Sequence, residues 1–350
     1  MREHIKIGDI LIGDDLKPFI IAEMSGNHNQ SIEKALAIID AAAEAGAHAI
    51  KLQTYTADTL TINVSHDEFR IKDPNSLWKD RNLYELYQEA YTPWEWHKAL
   101  FDRAKEKGMI CFSTPFDDTS VDFLEELGVE VYKIASFENN HLPLLKKVAK
   151  TGKPVIMSTG ISTLADIEIA VATLRENGCN QLVLLKCTST YPSSPENTNL
   201  LTIPHMAQLF NCHVGLSDHT LGIGVSVAAV ALGARVIEKH FTIDRAEGGV
   251  DSAFSLEPAE FKMLVEESER AYLGIGNVTY GIMEAEKKSQ MFKRSIYVVE
   301  DMNEGEIFNE QNIRIIRPGL GISPKYFETM LGKKINRSVK KGTPLTFDLI

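Results

Sequence analysis

The sequence predicts a (β/α)8 TIM barrel followed by a small β-rich C-terminal domain. Short apolar, β-branched segments alternate eight times with segments of helical periodicity, and glycine or proline separates the units. This alternation is typical of a parallel α/β barrel and does not suit a doubly wound sheet. Short β-rich segments then replace the pattern, and a length of 350 residues accommodates one barrel plus such an appendage.

The predicted strands and helices follow one another around the barrel. The strands are Pro18–Ala22, Ala47–Leu52, Met109–Phe112, Val129–Ile134, Pro154–Met157, Gln181–Lys186, His213–Leu216 and Arg235–Lys239. The helices are Ser31–Ala45, Thr92–Lys107, Asp118–Leu127, His141–Lys150, Leu164–Asn177, Ile203–Phe210, Gly222–Gly233 and Pro258–Tyr272. Ser31 is a typical N-cap, and Thr92-Pro93 has the expected order of a cap followed by proline. The Gly222-Ile223-Gly224 stretch lacks the third glycine and the acidic residue of a dinucleotide-binding motif.

We expect domain boundaries after the eighth helix. The barrel is predicted to occupy residues 1–283, a charged linker residues 284–293, and the second domain residues 294–350. In the second domain, Ser295–Val299, Ile313–Ile316 and Pro344–Ile350 are β-rich and separated by turn signals. A domain of this size is too small to be a convincing catalytic unit alone.

A long polar and aromatic insertion, Thr54–Tyr91, interrupts the second strand–helix unit. Connections this long are usually functional lids or pocket walls. The aromatic residues of the insertion are equally compatible with a local mini-core, and both alternatives remain open at this point.

Composition excludes several classes of function. The formal net charge is -11 and no long basic run occurs, which argues against a nucleic-acid-binding surface. The four cysteines are widely spaced, so we expect reduced thiols rather than a disulfide framework or a zinc knuckle. Neither a signal peptide nor a membrane-spanning run is evident, and we expect a cytoplasmic protein.

Polar residues close each predicted strand, although an apolar strand needs no charge at its end. In chain order they are Glu23; Lys51 and Gln53; Ser113 and Thr114; Lys133 and Ser136; Ser158 and Thr159; Lys186, Thr188 and Ser189; Ser217 and His219; Glu238 and His240. Strand ends of a barrel converge on one mouth. Three lysines and several hydroxyls there predict a site for a multiply charged anion such as a phosphate ester. For one such lysine alone, a solvated position or a carboxylate partner would be the favoured explanation, and the joint pattern reverses this.

His219 and His240 end the last two strands, and we predict that they share a divalent metal. Two imidazoles among oxygen donors favour Mn²⁺ or Mg²⁺ over structural zinc. A hydrogen-bonded structural role is the alternative for each histidine. Glu23 is a candidate general acid or base, and its alternative role is a salt bridge to a neighbouring lysine.

Together these segments resemble the sialic acid synthase family. The motifs that carry the resemblance are Ile21–His28, Ile50–Tyr55, Ser113–Asp117, Tyr132–Ser136, Gly215–Thr220 and Glu238–Phe241. The resemblance covers nearly the whole chain, and the C-terminal segment is similar to the antifreeze-like (SAF) domain. Further motifs resemble the branch of the family that makes pseudaminic acid: Leu77–Trp78, Leu83–Tyr87, Thr92–His97, Ala135–Glu138 and Lys186–Pro192.

The resemblance implies condensation of phosphoenolpyruvate with an open-chain acetamido sugar, here 2,4-diacetamido-2,4,6-trideoxy-L-altrose, with release of phosphate. It assigns phosphoenolpyruvate contacts to Lys51, Thr114, Lys133, Ser136, Ser158, Ser189 and Ser217. N-acetylneuraminate synthases commonly carry asparagine in place of Ser189, which argues against N-acetylmannosamine as the substrate and weakens the assignment of Ser189.

The resemblance also implies the remaining roles. It makes His219 and His240 the ligands of a Mn²⁺ or Mg²⁺ cofactor and Glu23 the proton-transfer group. It places Gln53, Tyr191, Asp251 and Arg317 near the sugar. Members of the family form homodimers in which the C-terminal domain covers the partner's barrel, so Arg317 would act in trans. A neuraminic or legionaminic acid synthase, or a sugar-binding scaffold without activity, remain alternatives.

Overall fold

A computed structural model describes residues 2–74 and 76–350, and these residues divide into two compact units. The first unit extends to Gly276 and the second comprises Asn277–Ile350. No helix in the described ranges is long and apolar enough to cross a membrane. The predicted boundary at residue 283 and the predicted linker stay predictions, although the linker segment contains a 3-10 helix, Glu284–Phe292.

Eight parallel strands close into a barrel within the described part of the first unit, which confirms the predicted TIM barrel. An N-terminal antiparallel hairpin of β1 (Ile5–Ile7) and β2 (Ile10–Ile12), which the sequence analysis did not predict, precedes them. The barrel strands are β3 (Phe19–Glu23), β4 (Ala49–Thr54), β5 (Ile110–Pro115), β6 (Tyr132–Ile134), β7 (Val155–Ser158), β8 (Leu182–Cys187), β9 (His213–Asp218) and β10 (Val236–His240). Strand β10 pairs with β3 and completes the ring.

Helices surround the barrel because each has one apolar face that packs on the strands. They are α1 (Ile32–Glu44), α4 (His97–Glu106), α5 (Asp118–Glu126), α6 (Leu142–Lys150), α7 (Leu164–Glu176), α8 (Thr202–Phe210), α9 (Gly224–Ala231) and α10 (Pro258–Ile275); α2 (Ala57–Leu60) and α3 (Leu83–Ala90) lie in the insertion. Ser31 caps α1 through its side chain, as predicted. A continuous buried core fills the space between helices and strands, with Phe112, Ile134 and Leu184 fully buried.

The second unit has its own buried core around Ile296, Phe308 and Leu345. Strands β11 (Ser295–Val298) and β12 (Ile313–Ile316) pair antiparallel, close to their predicted bounds. The helix of this unit is α11 (Phe327–Met330). The prediction of β structure over Pro344–Ile350 is wrong, because only Pro344 forms an isolated bridge and Phe347–Leu349 is a 3-10 helix.

Candidate active site

The register of the barrel strands brings the predicted site residues together. Glu23 on β3 lies opposite Lys51 on β4 and opposite His240 on β10. Ser217 on β9 lies opposite Glu238 on β10. Because all eight strands run in the same direction, their polar carboxyl-terminal residues collect at one mouth of the barrel.

A buried cluster of two lysines and two glutamates, here called the charge cluster, occupies this mouth. Lys51 Nζ lies 2.5 Å from Glu23 Oε2, and Lys133 Nζ lies 3.7 Å from Glu238 Oε1. All four side chains are at most 6% exposed. Lys51 also donates to Thr114 at 3.4 Å, Lys133 to Ser158 at 2.7 Å, and Ser217 to Glu238 at 3.0 Å. Charges this deeply buried persist only when they are paired and hydrogen-bonded.

The charge cluster sets unequal proton affinities. Burial raises the pKa of Glu23 to about 7, against the opposing charge of Lys51. Burial alone would also raise the pKa of Glu238, but Lys133 and Lys51 outweigh it and hold that pKa below its usual value. Burial lowers the pKa of Lys133, whose nearest carboxylate is more distant than that of Lys51. Glu23 is therefore the member of the cluster suited to exchange a proton near neutral pH.

A second feature, here called the hydroxyl cradle, consists of the hydroxyl groups of Ser136, Ser158 and Ser189 together with the backbone of Gly160. The Gly160 N–H donates to Ser136 Oγ at 3.0 Å. A methyl group on Gly160 would overlap the hydroxyls of Ser189 and Ser136, so the glycine keeps this space open. A set of hydroxyls that includes Ser158, to which the Lys133 ammonium donates, is suited to a phosphate group.

The two predicted metal ligands lie side by side. The ring centroids of His219 and His240 are 5.3 Å apart, and Tyr191 packs 4.4 Å from His219. His219 Nδ1 lies 3.0 Å from the Thr188 carbonyl; since a carbonyl only accepts, Nδ1 carries a proton. Burial, with the charge of His219 and of nearby lysines, holds the pKa of His240 well below its usual value, so this ring is neutral.

These imidazoles fit a divalent cation. His240 Nδ1 is buried and finds no hydrogen-bond partner among the described residues. In metal-ligating histidines the ring nitrogen that does not bind the metal commonly donates to a backbone carbonyl, as Nδ1 of His219 does. Within the described ranges no set of three or more His, Cys, Asp or Glu side chains has metal-site geometry. The chain would thus supply two nitrogen ligands and leave the remaining coordination positions to other donors.

Polar side chains link the charge cluster to the two imidazoles and form one wall of the site. Gln53 Nε2 donates to Glu23 Oε1 at 3.0 Å and to Ser25 Oγ at 3.2 Å. Ser25 in turn donates to the Asp251 carboxylate, which lies 3.9 Å from His240 Nδ1. Burial raises the pKa of Asp251. This wall offers both hydrogen-bond donors and hydrogen-bond acceptors, as a polyhydroxyl ligand requires.

A second buried ion pair holds the two histidine strands in place. Lys239 and Asp218 alternate with the site residues and point away from them. Lys239 Nζ lies 2.8 Å from Asp218 Oδ2, and Ser226 on α9 donates to the same carboxylate at 2.6 Å. The pair therefore ties β9 to β10 and to helix α9 behind His219 and His240.

The contacts above connect the predicted site residues of the first unit, whose individual roles stay predictions. The salt bridge that was the alternative for Glu23 is present, and it coexists with the raised pKa. Lys186 Nζ donates to the Cys187 carbonyl and to Thr188 Oγ1, and the part of Lys186 in the three-lysine pattern stays a prediction. Arg317 belongs to the second unit.

Sequence reasoning missed three groups. Glu238 was noted only as a strand end, although its position two residues before His240 predicts the same face of the strand. Gly160 gave no signal, since its importance depends on the distant Ser189. Glu138 stood in a quoted motif but was given no role. Its buried Oε2 has no hydrogen-bond partner in the described part of the chain, and burial raises its pKa to about 7.

Comparison with known proteins places this site in a family. The family model "NeuB family" matches residues 38–280, more than half of the chain. The chain belongs to the NeuB family. Its C-terminal residues 293–350 match the SAF domain model, in agreement with the predicted second domain.

Individual NeuB-family relatives match over almost their whole length. A pseudaminic acid synthase of Campylobacter jejuni (strain NCTC 11168) is 46% identical, with 95% of this chain and 96% of the relative covered. An N,N'-diacetyllegionaminic acid synthase of the same strain is 38% identical, with 93% and 98% covered. The crystal structure of N-acetylneuraminic acid synthetase from Leptospira borgpetersenii superposes with a TM-score of 0.74 at 34% identity, covering 83% of this chain and 95% of that one.

Proposed function

We propose that this NeuB-family chain condenses phosphoenolpyruvate with 2,4-diacetamido-2,4,6-trideoxy-L-altrose to give pseudaminic acid and phosphate. The observation that carries the proposal is the juxtaposition of the charge cluster and the hydroxyl cradle with the imidazole pair. The choice of sugar is supported by the higher identity to the pseudaminic acid synthase than to the legionaminic acid synthase of the same organism.

The anionic substrate would bind at the lysine side of the site. Lys51 and Lys133 carry positive charge within a buried setting, where an ammonium binds a carboxylate or phosphate far more strongly than in water. Lys133 is the less tightly paired of the two, and it already donates to Ser158 in the cradle. We assign the phosphate of phosphoenolpyruvate to the hydroxyl cradle and its carboxylate to the neighbourhood of Lys51 and Thr114.

The sugar would bind on the wall formed by Gln53, Asp251 and Tyr191, with its aldehyde towards His219 and His240. A divalent cation, Mn²⁺ or Mg²⁺, held by these two histidines would supply Lewis-acid polarisation of the aldehyde carbonyl. The chain itself contributes orientation, since the Ser25–Asp251 hydrogen bond and the Tyr191 ring limit where the sugar fits.

In the reaction, C3 of phosphoenolpyruvate forms a bond to the aldehyde carbon, water adds to C2, and the C2–O bond to phosphate breaks. As C2 becomes a ketone, the added water loses two protons: one goes to the aldehyde oxygen, and the other leaves with the phosphate. Glu23 lies between Lys51 on the anion side and Gln53 on the sugar side, and its pKa of about 7 suits both transfers. We therefore assign to Glu23 proton donation to the new hydroxyl and acceptance from the water.

We also propose that the chain works as a homodimer in the cytoplasm, with Arg317 completing the sugar site of a second copy. The segment that opens the second unit exposes large apolar side chains, including Val278, Tyr280 and Phe292. Such patches usually mark interfaces. The free, buried cysteines suit a reducing compartment. Sedimentation of the purified chain as a monomer only would contradict the dimer.

The first prediction concerns the sugar. Phosphate release from phosphoenolpyruvate should be fastest with 2,4-diacetamido-2,4,6-trideoxy-L-altrose when a panel also contains N-acetylmannosamine and the legionaminic acid precursor. A phosphate-release assay with each sugar measures this preference. Turnover with N-acetylmannosamine alone would reject the proposed substrate, and inactivity with every sugar and Mn²⁺ would favour the binding-scaffold alternative.

The second prediction tests the cradle. Gly160→Ala should raise the KM for phosphoenolpyruvate by about 10–100-fold, because the added methyl displaces the hydroxyls of Ser136 and Ser189 and weakens one or two charge-assisted hydrogen bonds. Steady-state kinetics at saturating sugar measure it. Gly274→Ala is the matched control, since a Cβ there meets nothing within 4 Å. An unchanged KM in Gly160→Ala would remove this glycine from the phosphate site.

The third prediction tests the cation. His240→Ala should abolish turnover and weaken Mn²⁺ binding to the protein in the absence of substrates, because one of two nitrogen ligands is lost. Calorimetric titration with Mn²⁺ measures the binding, and circular dichroism checks the fold. His205→Ala, at an exposed position on helix α8, is the control. Wild-type Mn²⁺ affinity in His240→Ala would exclude this residue as a ligand.

A further inference from the structure

The insertion between β4 and α4 is attached to the barrel mouth at several points, as a pocket wall would be. Trp78 donates its indole N–H to the Val250 carbonyl at 3.0 Å, and Gln30 donates to the carbonyls of Glu89 and Tyr91. Gly26, three residues after Glu23, approaches Ala90 so closely that a Cβ would lie 3.2 Å from its backbone. These contacts favour the wall over the separate mini-core among the two roles considered for the insertion.

Trp78 is the insertion residue that reaches the site described above. Its ring lies 5.7 Å from Tyr191, tilted by 53°, and Tyr191 lies 4.4 Å from His219. The three rings therefore form a continuous aromatic series that leads outward from the imidazole pair. The indole also anchors Val250, the residue directly before Asp251, which faces His240. Trp78 thus borders the site at Tyr191 and next to Asp251.

The chemistry of the indole limits what it can recognise. Its single hydrogen-bond donor is already taken by the Val250 carbonyl, and indole has no acceptor. Trp78 remains partly exposed, so the ring offers an apolar surface to whatever occupies the adjoining space. An apolar aromatic face favours methyl and acetamido groups and gains nothing from a hydroxyl.

We propose that Trp78 determines sugar specificity by packing against the deoxy, acetamido-bearing end of the substrate. This inference rests on the proposed function, in which the aldehyde end of the sugar lies at His219 and His240. The rest of an open six-carbon chain then extends along the aromatic series towards Trp78. At that end the proposed substrate carries a C6 methyl and a 4-acetamido group, where N-acetylmannosamine carries hydroxyls. Trp78 selects these apolar groups by contact and acts independently of phosphoenolpyruvate binding.

The test compares Trp78→Ala and Trp78→Phe with wild type on two sugars, the proposed trideoxy sugar and its analogue with a hydroxyl at C6. Trp78→Ala should lower kcat/KM for the trideoxy sugar about 10–100-fold, mainly through the sugar KM. The analogue should lose much less, so the preference for the C6 methyl group shrinks. Trp78→Phe retains an apolar face without the Val250 hydrogen bond and should keep most of the preference. Leu77→Ala, at the exposed neighbouring position, should behave as wild type.

The outcomes separate this inference from the proposed function. An unchanged KM for phosphoenolpyruvate with a reduced preference supports the role of Trp78. Equal losses for both sugars, or a parallel rise in the KM for phosphoenolpyruvate, would show that Trp78 only supports the fold and would overturn the inference. Wild-type turnover with an unchanged preference in Trp78→Ala would overturn it while leaving the proposed function intact. Failure of the wild type to use either sugar would reject both.

Discussion

The site depends on one constraint: two ammonium groups and two carboxylate groups are buried together at one end of the barrel. Glu23, Lys51, Lys133 and Glu238 are almost completely removed from solvent. Apolar residues of similar volume would often be equally or more stabilising than such pairs, so stability alone does not explain them. Under the proposed function their value is preorganisation, because an incoming anion would meet ammonium groups that have already lost their hydration and need little reorganisation.

Because successive side chains of a strand point to opposite faces, adjacent residues on β9 and β10 make different contacts. On β9 and β10, one face carries Ser217, Glu238 and His240 to the mouth, while the other face carries Asp218 and Lys239 to the interface with helix α9. The outward pair fixes the register of the two strands, so the inward side chains arrive at a set spacing. The spacing of the candidate site residues is thereby supported by a pair on the opposite face of the strands.

The sequence was sufficient to predict the barrel, because eight apolar segments that alternate with helical segments and are separated by glycine or proline are compatible with few other topologies. It also located the polar strand ends, since convergence follows from the fold. It could not fix the contacts of Lys186, because a strand-end position does not reveal which way a long side chain turns. It could not find Gly160, whose role depends on hydroxyls from other strands. The β1–β2 hairpin was not predicted, because its strands are only three residues long.

The same reasoning explains why the sequence did not place Trp78 at the barrel mouth, because an insertion has no periodicity that ties it to the strands. Its attachment nevertheless has a consequence for how such enzymes diversify. The residues proposed to hold the enol phosphate are distributed over many strands and contact one another, so altering one would disturb the others. The wall proposed to face the far end of the sugar comes from a single insertion. On this proposal, exchanging that insertion would change the substrate range while leaving the barrel residues as they are.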